Sequence, residues 1–437
     1  MTRGGPLTFA DQACGVRHAA RTPTRRTRPA GSAVRRFRGL PIIKPVTDPE
    51  SPAATRPEGS LRRAAPALLG YAAVRALGLA ALGAWSSAKG GSARRLLSER
   101  WDSLWYTRVA ELGYGYEVRL PNGDVHTNLA FFPLLPWLER TVHAATPLSY
   151  PDAGLLVTAV ASLAAAWGIF AVADHVHGRR TAVCAVLVWA VLPVGVVQSM
   201  AYSESLFTAL AAWSLYAALT GRWPTAGLLA AFAGLTRPVG VAVAAALWAA
   251  AITSFVGEHR HDGSAPRTDG ARPWRRALAV IIAPLGAAGY VLWVGHRTGG
   301  GPLGYLDVQA GWRNGFDGGH AFGRFVAEKF TSLPSAPAGV ALTAGVVLVL
   351  WLYVACVRQG QPSALLVYTG TVVVLALCAS GYFGSKPRLL LPAFPLLFPL
   401  ARALARLRAS RSALVVGGAA VASATYGAFW LNGSGPP

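Results

Sequence analysis

Apolar runs of near-transmembrane length recur along this chain and constrain its fold more than any other feature. A helix of about 20 residues crosses the hydrocarbon core of a bilayer, and a helix satisfies its own backbone in lipid. The runs therefore predict an all-α, polytopic integral membrane protein of about 10–12 transmembrane helices. They lie at 64–85, 153–174, 181–198, 203–220, 224–235, 238–257, 277–296, 338–357, 363–383, 389–405 and 412–431.

Charge is scarce and strongly biased towards the basic residues. Only 14% of the residues are charged, compared with about 25% in soluble domains, and the net charge is +22. In a soluble chain this excess would indicate nucleic-acid binding. Here the arginines cluster in the N-terminal tail and in short loops between apolar runs, as membrane topology and anionic headgroups require. We therefore expect the lipid bilayer, and no nucleic acid, as a partner.

Residues 1–63 are rich in Arg, Pro, Thr and Gly and show no sustained periodicity, which predicts a disordered basic cytoplasmic tail. The rest, 64–431, is predicted to form one transmembrane domain. The four cysteines show neither a disulfide framework nor zinc-ligand spacing. They are Cys14, Cys184, Cys356 and Cys378.

The arginine-rich loops also predict the topology, because such loops stay in the cytoplasm. One arrangement satisfies all of them if the segment 129–147 does not cross the bilayer. That segment carries Glu139, Arg140 and His143, which favours an interfacial or re-entrant position. The loops 86–152 and 297–337 then lie on the extracytoplasmic face.

Two acids lie close to predicted membrane-spanning segments, where a charged side chain is unusual, and Asp102 is the first of them. It stands in "RWDSLWYTRVAELGYGY", where Trp105 and Tyr106 would share its helix face. A half-desolvated carboxylate beside a membrane suits a general base. The alternative is that Asp102 caps a helix that ends at Gly113.

The second acid is Glu204, in "YSESLF" near the end of a predicted span. Placing a carboxylate there costs a few kcal/mol of free energy unless the group is paired or hydrated. The alternative is a first-turn acid that follows Ser203 as the helix cap. Arg237, between two apolar half-spans, is either a ligand for an anion or the buried partner of Glu204. Lys386 and Arg388 would bind phosphate, or extend to lipid headgroups.

Four stretches taken in order resemble a known family. They are "RWDSLWYTRVAELGYGY", "AFFPLLPWLER", "YSESLF" and "GLTRPVG". Together they look like the PIG-V family, which is phosphatidylinositol-glycan class V or GPI mannosyltransferase II, with its actinobacterial relatives. This family belongs to the GT-C superfamily of polytopic glycosyltransferases.

The resemblance implies a mannosyltransferase that takes its sugar from a polyprenyl-phosphate donor and transfers it with inversion to a glycolipid or glycan acceptor of the cell envelope. Asp102 stands where GT-C enzymes place a catalytic acid in the first outer loop. We expect Arg237, Lys386 and Arg388 to bind the donor phosphate, and a divalent metal to be optional. We expect the remaining candidates to contact or position the acceptor: Glu204, Glu111, Trp101, Trp105 and Tyr106.

A transporter or flippase of a lipid-linked sugar is the alternative, because broken helices and intramembrane charges occur there as well. Such proteins usually contain internal repeats, and none is found at a fixed period between the two halves of this chain. A purely structural membrane scaffold would not explain why Glu204 and Arg237, two charged residues, lie close to apolar spans.

Overall fold

The computed structural model describes residues 57–260 and 273–433. Most of the predicted tail 1–63, together with Cys14, therefore lies outside the described residues. The tail was expected to reach residue 63, but from Pro57 the chain is already helical.

Helices dominate the described part of the chain, as the apolar runs predict, and the all-α class is confirmed. They are α1 Pro57–Ala88, α2 Ala93–Ser98, α3 Asp102–Leu112, α4 Leu134–Ala145, α5 Tyr150–His177, α6 Arg179–Ala190, α7 Ser203–Leu219, α8 Trp223–Gly234, α9 Val241–Arg260, α10 Pro273–Ile282, α11 Leu285–Thr298, α12 Gly304–Gly311, α13 His320–Glu328, α14 Ala336–Arg358, α15 Ser363–Cys378, α16 Lys386–Leu389, α17 Phe398–Arg406 and α18 Ala409–Leu431.

Two small antiparallel hairpins complete the secondary structure of the described ranges. Strands β1 (Glu117–Arg119) and β2 (Val125–Thr127) pair within the segment between α3 and α4. Strand β3 (Gly315–Phe316) pairs with β4 (Ala379–Ser380). The second pairing joins the segment between α12 and α13 to the end of α15, and so connects parts of the chain that are distant in sequence.

Six helical segments of the described residues are long and apolar enough to cross a membrane, and a seventh crossing results if the bent pair Phe383–Leu389 and Phe394–Arg406 is one span. The protein is thus a multi-pass membrane protein. The six segments are Leu61–Ala88, Tyr150–His177, Pro238–Glu258, Pro273–Thr298, Ala336–Arg358 and Ala409–Leu431.

This number is smaller than the ten to twelve spans expected, because several apolar runs form short helices. The run 181–198 ends its helix at Ala190, before Pro193 and Gly195. The run 389–405 begins at a 79° bend between Phe383–Leu389 and Phe394–Arg406, where Pro392 removes a backbone donor. Helix α4, in the segment expected not to cross, has 12 residues. It is about 18 Å long and thus shorter than the hydrocarbon core.

The main core forms where α5 packs against α6 and α7, and where α7 packs against α8. It contains many alanines, which let helix backbones approach closely without a hydrophobic driving force. Large buried rings such as Trp189, Tyr202 and Phe207 fill the remaining space. Tyr202 directly precedes α7, so this packing also holds the start of α7 in place.

Candidate active site

The chain enters α3 through a strained residue. Trp101 has φ +53°, a backbone conformation that favours glycine. Asp102 is the first residue of α3, and the helix has no side-chain cap. The helix ends before Gly113, as the sequence predicts. The capping alternative for Asp102 is therefore wrong, and its carboxylate is available for another partner.

That partner is Arg388, in the short helix α16. Nη2 of Arg388 lies 2.8 Å from Oδ2 of Asp102. The Arg388 side chain is buried, whereas 29% of the Asp102 side chain is exposed. The ion pair thus joins the first outer segment to the chain that follows α15, and leaves the carboxylate of Asp102 accessible from one side.

Glu204 lies deeper, in the first turn of α7, with 1% of its side chain exposed. Its Oε1 forms an ion pair with Nη1 of Arg237 and lies 3.2 Å from Nε of Arg388. The pairing of Glu204 with Arg237 is the alternative that the sequence left open for Arg237. Glu204 therefore holds two guanidinium groups at once.

Two hydroxyl groups extend this arrangement. The Ser203 hydroxyl lies 2.7 Å from the phenol of Tyr106 and 3.5 Å from Nη1 of Arg237. Burial raises the pKa of Tyr106, so its phenol stays neutral and acts as a hydrogen-bonding group. Ser203 does not cap α7, because the cap position is held by Tyr202 without a side-chain bond.

Four elements meet at this ionic cluster, which consists of Asp102, Glu204, Arg237 and Arg388. Both carboxylates stand in the first turn of a helix, where the backbone N–H groups favour negative charge. The two guanidinium groups come from the α8–α9 connection and from α16. Two negative and two positive charges balance, as burial of this kind requires.

Two buried donors of Arg388, Nε and Nη1, have no hydrogen-bond partner among the described residues, and only Nε has an ion-pair contact, with Glu204. The guanidinium also lies 5.0 Å from the centre of the Tyr202 ring. An arginine with a buried free donor, next to an accessible carboxylate, can bind an anion that approaches the cluster.

Lys386 is in the same helix as Arg388 but has a different environment. Its ammonium group donates to the carbonyl oxygens of Ala376, Leu377 and Ala379, at 2.8, 3.4 and 2.7 Å. These carbonyls belong to the end of α15 and to β4. The structure therefore uses the three hydrogens of Lys386 within the chain and does not bring its ammonium into the ionic cluster.

The aromatic candidates separate into two environments. Trp105 lies in a cluster of rings, stacked with Phe131 at 5.7 Å and edge-on to Trp312 at 4.8 Å. Trp101 packs against the main core, with the Arg100 guanidinium 4.3 Å from its ring centre. Both residues border the helix turn that carries Asp102, and both are partly exposed.

Two other acids lie differently from Asp102. Glu111, predicted to contact or position the acceptor, is exposed near the far end of α3. Glu139 is fully buried, and neither oxygen has a hydrogen-bond partner in the described part of the chain. Burial raises the pKa of Glu139 well above its ordinary value. The sequence contains a signal for this burial, because Glu139 shares a helix face with Leu135.

In the ranges that the structure describes, no group of three or more His, Cys, Asp or Glu residues is arranged to hold a metal ion. Cys184, Cys356 and Cys378 are free thiols.

Three kinds of comparison connect the chain to known proteins. A model of the dolichyl-phosphate-mannose-protein mannosyltransferase family matches residues 132–264. The structure of ArnT from Cupriavidus metallidurans bound to undecaprenyl phosphate is 17% identical, with a TM-score of 0.46, and covers 80% of this chain and 61% of that one. This structural likeness is too distant to bear on the site.

Two relatives are closer in sequence. GPI alpha-1,6-mannosyltransferase 2 from Mus musculus is 32% identical over 173 residues, which are 35% of this chain and 33% of the relative. The Rattus norvegicus protein of the same name is 33% identical over 155 residues, 32% of this chain and 29% of the relative. The match spans about a third of each relative. Over that part the chain is similar to GPI mannosyltransferases, and the resemblance to the PIG-V family that its motifs predict is confirmed.

Proposed function

We propose that the protein is a membrane glycosyltransferase, and specifically a mannosyltransferase that uses a polyprenyl-phosphate sugar as donor. The observation that carries this proposal is the ion pair between Asp102 and Arg388 at the accessible edge of a buried ionic cluster. It provides a proton acceptor and a phosphate ligand side by side. The similarity to mannosyltransferases supports the same activity.

Arg388 is the proposed ligand for the donor phosphate. Arg237 shares the Glu204 carboxylate with Arg388 and lies deeper in the cluster. The free Nη1 of Arg388 supports this assignment, because a buried guanidinium donor without a partner is costly until a ligand occupies it. A phosphate diester offers oxygen acceptors that match this group. The engagement of Lys386 with three carbonyls favours a structural role for that residue.

The proposed chemical step is a single inverting displacement. Asp102 accepts the proton of an acceptor hydroxyl, and the oxygen attacks the anomeric carbon. The bond between that carbon and the phosphate oxygen breaks, and its electron pair leaves with the lipid phosphate. Asp102 loses its charge as the phosphate gains one, so Arg388 becomes free to stabilise the leaving group.

Glu204 and Arg237 act in this proposal as positioning residues. Glu204 is too deeply buried to meet a substrate, but it holds both arginines in place. Tyr106 and Ser203 continue the hydrogen-bonded chain behind Arg237. Trp101 and Trp105 are the proposed walls of the acceptor cleft, because they flank Asp102 and are partly exposed.

We place the site on the extracytoplasmic face of the cell membrane, with the N-terminus in the cytoplasm. The support is the positive-inside distribution of arginines along the chain. The proposed acceptor is a glycolipid or a glycan of the cell envelope, and a divalent metal remains optional.

Product formation in detergent tests this function against the transporter alternative. The purified protein would be mixed with a radiolabelled polyprenyl-phosphate mannose and a lipid extract. A transferase forms labelled glycolipid without any compartment, whereas a flippase only moves lipid between leaflets. No labelled product from any polyprenyl-phosphate sugar offered would contradict the transferase proposal.

A further inference from the structure

A groove formed by one helix and a neighbouring phenylalanine has no role in the transfer step described above. It lies along α13 and has a volume of about 280 Å³. This is close to the lower end of the roughly 300–1,000 Å³ of small-molecule sites. We call it the α13 groove, and it is lined by His320, Ala321, Arg324, Phe325, Glu328 and Phe383.

Three polar side chains line one face of the groove. His320, Arg324 and Glu328 follow one another at intervals of four residues, so they share one side of α13. His320 Nε2 and Arg324 Nη2 lie 3.2 Å apart. This row contains an imidazole, a cation and an anion, and therefore offers donors and acceptors without a strong net charge.

Aromatic rings form the other part of the lining. The rings of Phe325 and Phe383 lie 4.8 Å apart at a tilt of 37°, and both are half-buried. The ammonium of Lys329 lies 4.4 Å from the centre of the Phe325 ring and that of Lys386 lies 5.4 Å from the centre of the Phe383 ring. The edges and faces of the rings that remain open are apolar. A pyranose fits this combination, because its C–H face packs on aromatic rings and its hydroxyl groups both donate and accept hydrogen bonds.

The start of α13 is held in a defined position. The Asp317 carboxylate accepts hydrogen bonds from the backbone N–H groups of Gly319 and Ala321, at 2.9 and 2.8 Å. The same two bonds hold the pKa of Asp317 below its ordinary value, with the bond from Ala321 the larger cause. The groove is thus built on an anchored helix.

The groove is also connected to the ionic cluster. Strand pairing of β3 with β4 joins the start of α13 to the end of α15. Phe383 then begins the short turn Phe383–Ser385, which leads directly into α16 and Arg388. A ligand in the groove would therefore contact Phe383, which precedes Arg388 by five residues in the chain.

We propose that the α13 groove is a binding subsite for the neutral carbohydrate part of the acceptor. The proposal rests on the proposed function and names the substrate class that this outer segment recognises. A lipid phosphate is the less favoured occupant, because Glu328 places a carboxylate in the lining. The groove would orient a glycan whose reactive hydroxyl reaches Asp102.

Binding of a free sugar tests the subsite independently of transfer. Detergent-solubilised full-length protein would be mixed with mannotriose, and saturation-transfer NMR would report contact. We expect a signal with the wild type that falls about fivefold in Arg324→Ala, the effect of one lost hydrogen bond of ~1 kcal/mol. Phe325→Leu should lower it similarly while keeping an apolar side chain in place.

Arg358→Ala is the matched control, because Arg358 is also exposed but lies at the end of α14. It should keep the wild-type signal. Absence of a wild-type signal, or equal signals in the wild type and both groove variants, would overturn the subsite. Equal displacement of mannotriose by glycerol 3-phosphate would do so as well, and would indicate an anion site. Transfer activity without mannotriose binding would reject the subsite alone.

Discussion

At the scale of single residues, the site depends on which charges are buried and which remain accessible. Asp102 and Glu204 are both carboxylates in the first turn of a helix, but they differ in exposure, 29% against 1%. Their roles follow from that difference, since a proton acceptor must reach the substrate. Arg388 contacts both acids and so couples the accessible carboxylate to the buried one.

Glu139 gives a pH-dependent prediction at this scale. Burial raises its pKa in the folded protein, so the folded state keeps a proton that the unfolded state loses. Its contribution to stability is complete below the unfolded pKa and is lost as the pH rises through the folded pKa. We expect the stability of Glu139→Gln relative to the wild type to increase from pH 5 to pH 8, by at most about 1.4 kcal/mol per pH unit.

Thermal unfolding in detergent at four pH values measures this difference. Melting temperatures of the two proteins that change in parallel with pH would show that the buried carboxyl does not titrate as expected. Glu111→Gln serves as the control, because it makes the same chemical change at an exposed glutamate.

At the scale of the elements, chain ends and close helix contacts hold the site together. The end of α15 and β4 are held by the ammonium group of Lys386, which donates to three carbonyl oxygens. A cation at a helix C-terminus satisfies carbonyls that have no intrahelical partner and interacts favourably with the helix dipole. The segment that carries Arg388 is thus attached to α15.

Replacement of Lys386 separates this role from phosphate binding. Lys386→Met should lower the free energy of unfolding by about 1–2 kcal/mol and leave the KM for the polyprenyl-phosphate donor within about twofold of the wild type. Unfolding curves and donor titrations measure the two effects. Lys89→Met, at an exposed lysine, should change neither. A tenfold rise in donor KM with unchanged stability would instead assign Lys386 to the phosphate.

Two glycines of α11 give a paired prediction. A Cβ at Gly286 would collide with the backbone carbonyl of Ala231 in α8, whereas a Cβ at Gly289 would meet no atom within 4 Å. Gly286→Ala should therefore destabilise the protein by about 1–3 kcal/mol through overpacking. Gly289→Ala should be neutral or stabilising by up to about 1 kcal/mol, because alanine favours the helix. Equal effects on thermal unfolding would contradict the close α8–α11 contact.

At the scale of the whole molecule, the sequence predicts the class of fold and most members of the site. Apolar runs and scarce charge predict an all-α membrane protein, and Asp102, Glu204 and Arg237 stand out as charges near lipid. The pairing of Asp102 with Arg388 is not predictable, because it joins two segments far apart in the chain. Local spacing contains no information about such a contact.

Two features could not be read from local sequence. Hydropathy does not register the break between Phe383–Leu389 and Phe394–Arg406, where Pro392 removes a backbone donor. Phosphate binding by Lys386 stays a prediction, but its hydrogen bonds to carbonyl oxygens of α15 and β4 could not be read from the sequence. Its carbonyl partners belong to a helix end that approaches only in the folded chain.

The central claim is that Asp102 accepts the proton of the acceptor hydroxyl during sugar transfer. Single-turnover transfer from radiolabelled polyprenyl-phosphate mannose would be compared in the wild type, Asp102→Asn and the control Asp307→Asn, which replaces an exposed acid of α12. We expect a rate about 10²–10⁴-fold lower for Asp102→Asn, as for loss of a general base, with donor binding retained, and a wild-type rate for the control. A wild-type rate for a correctly folded Asp102→Asn protein would contradict the claim.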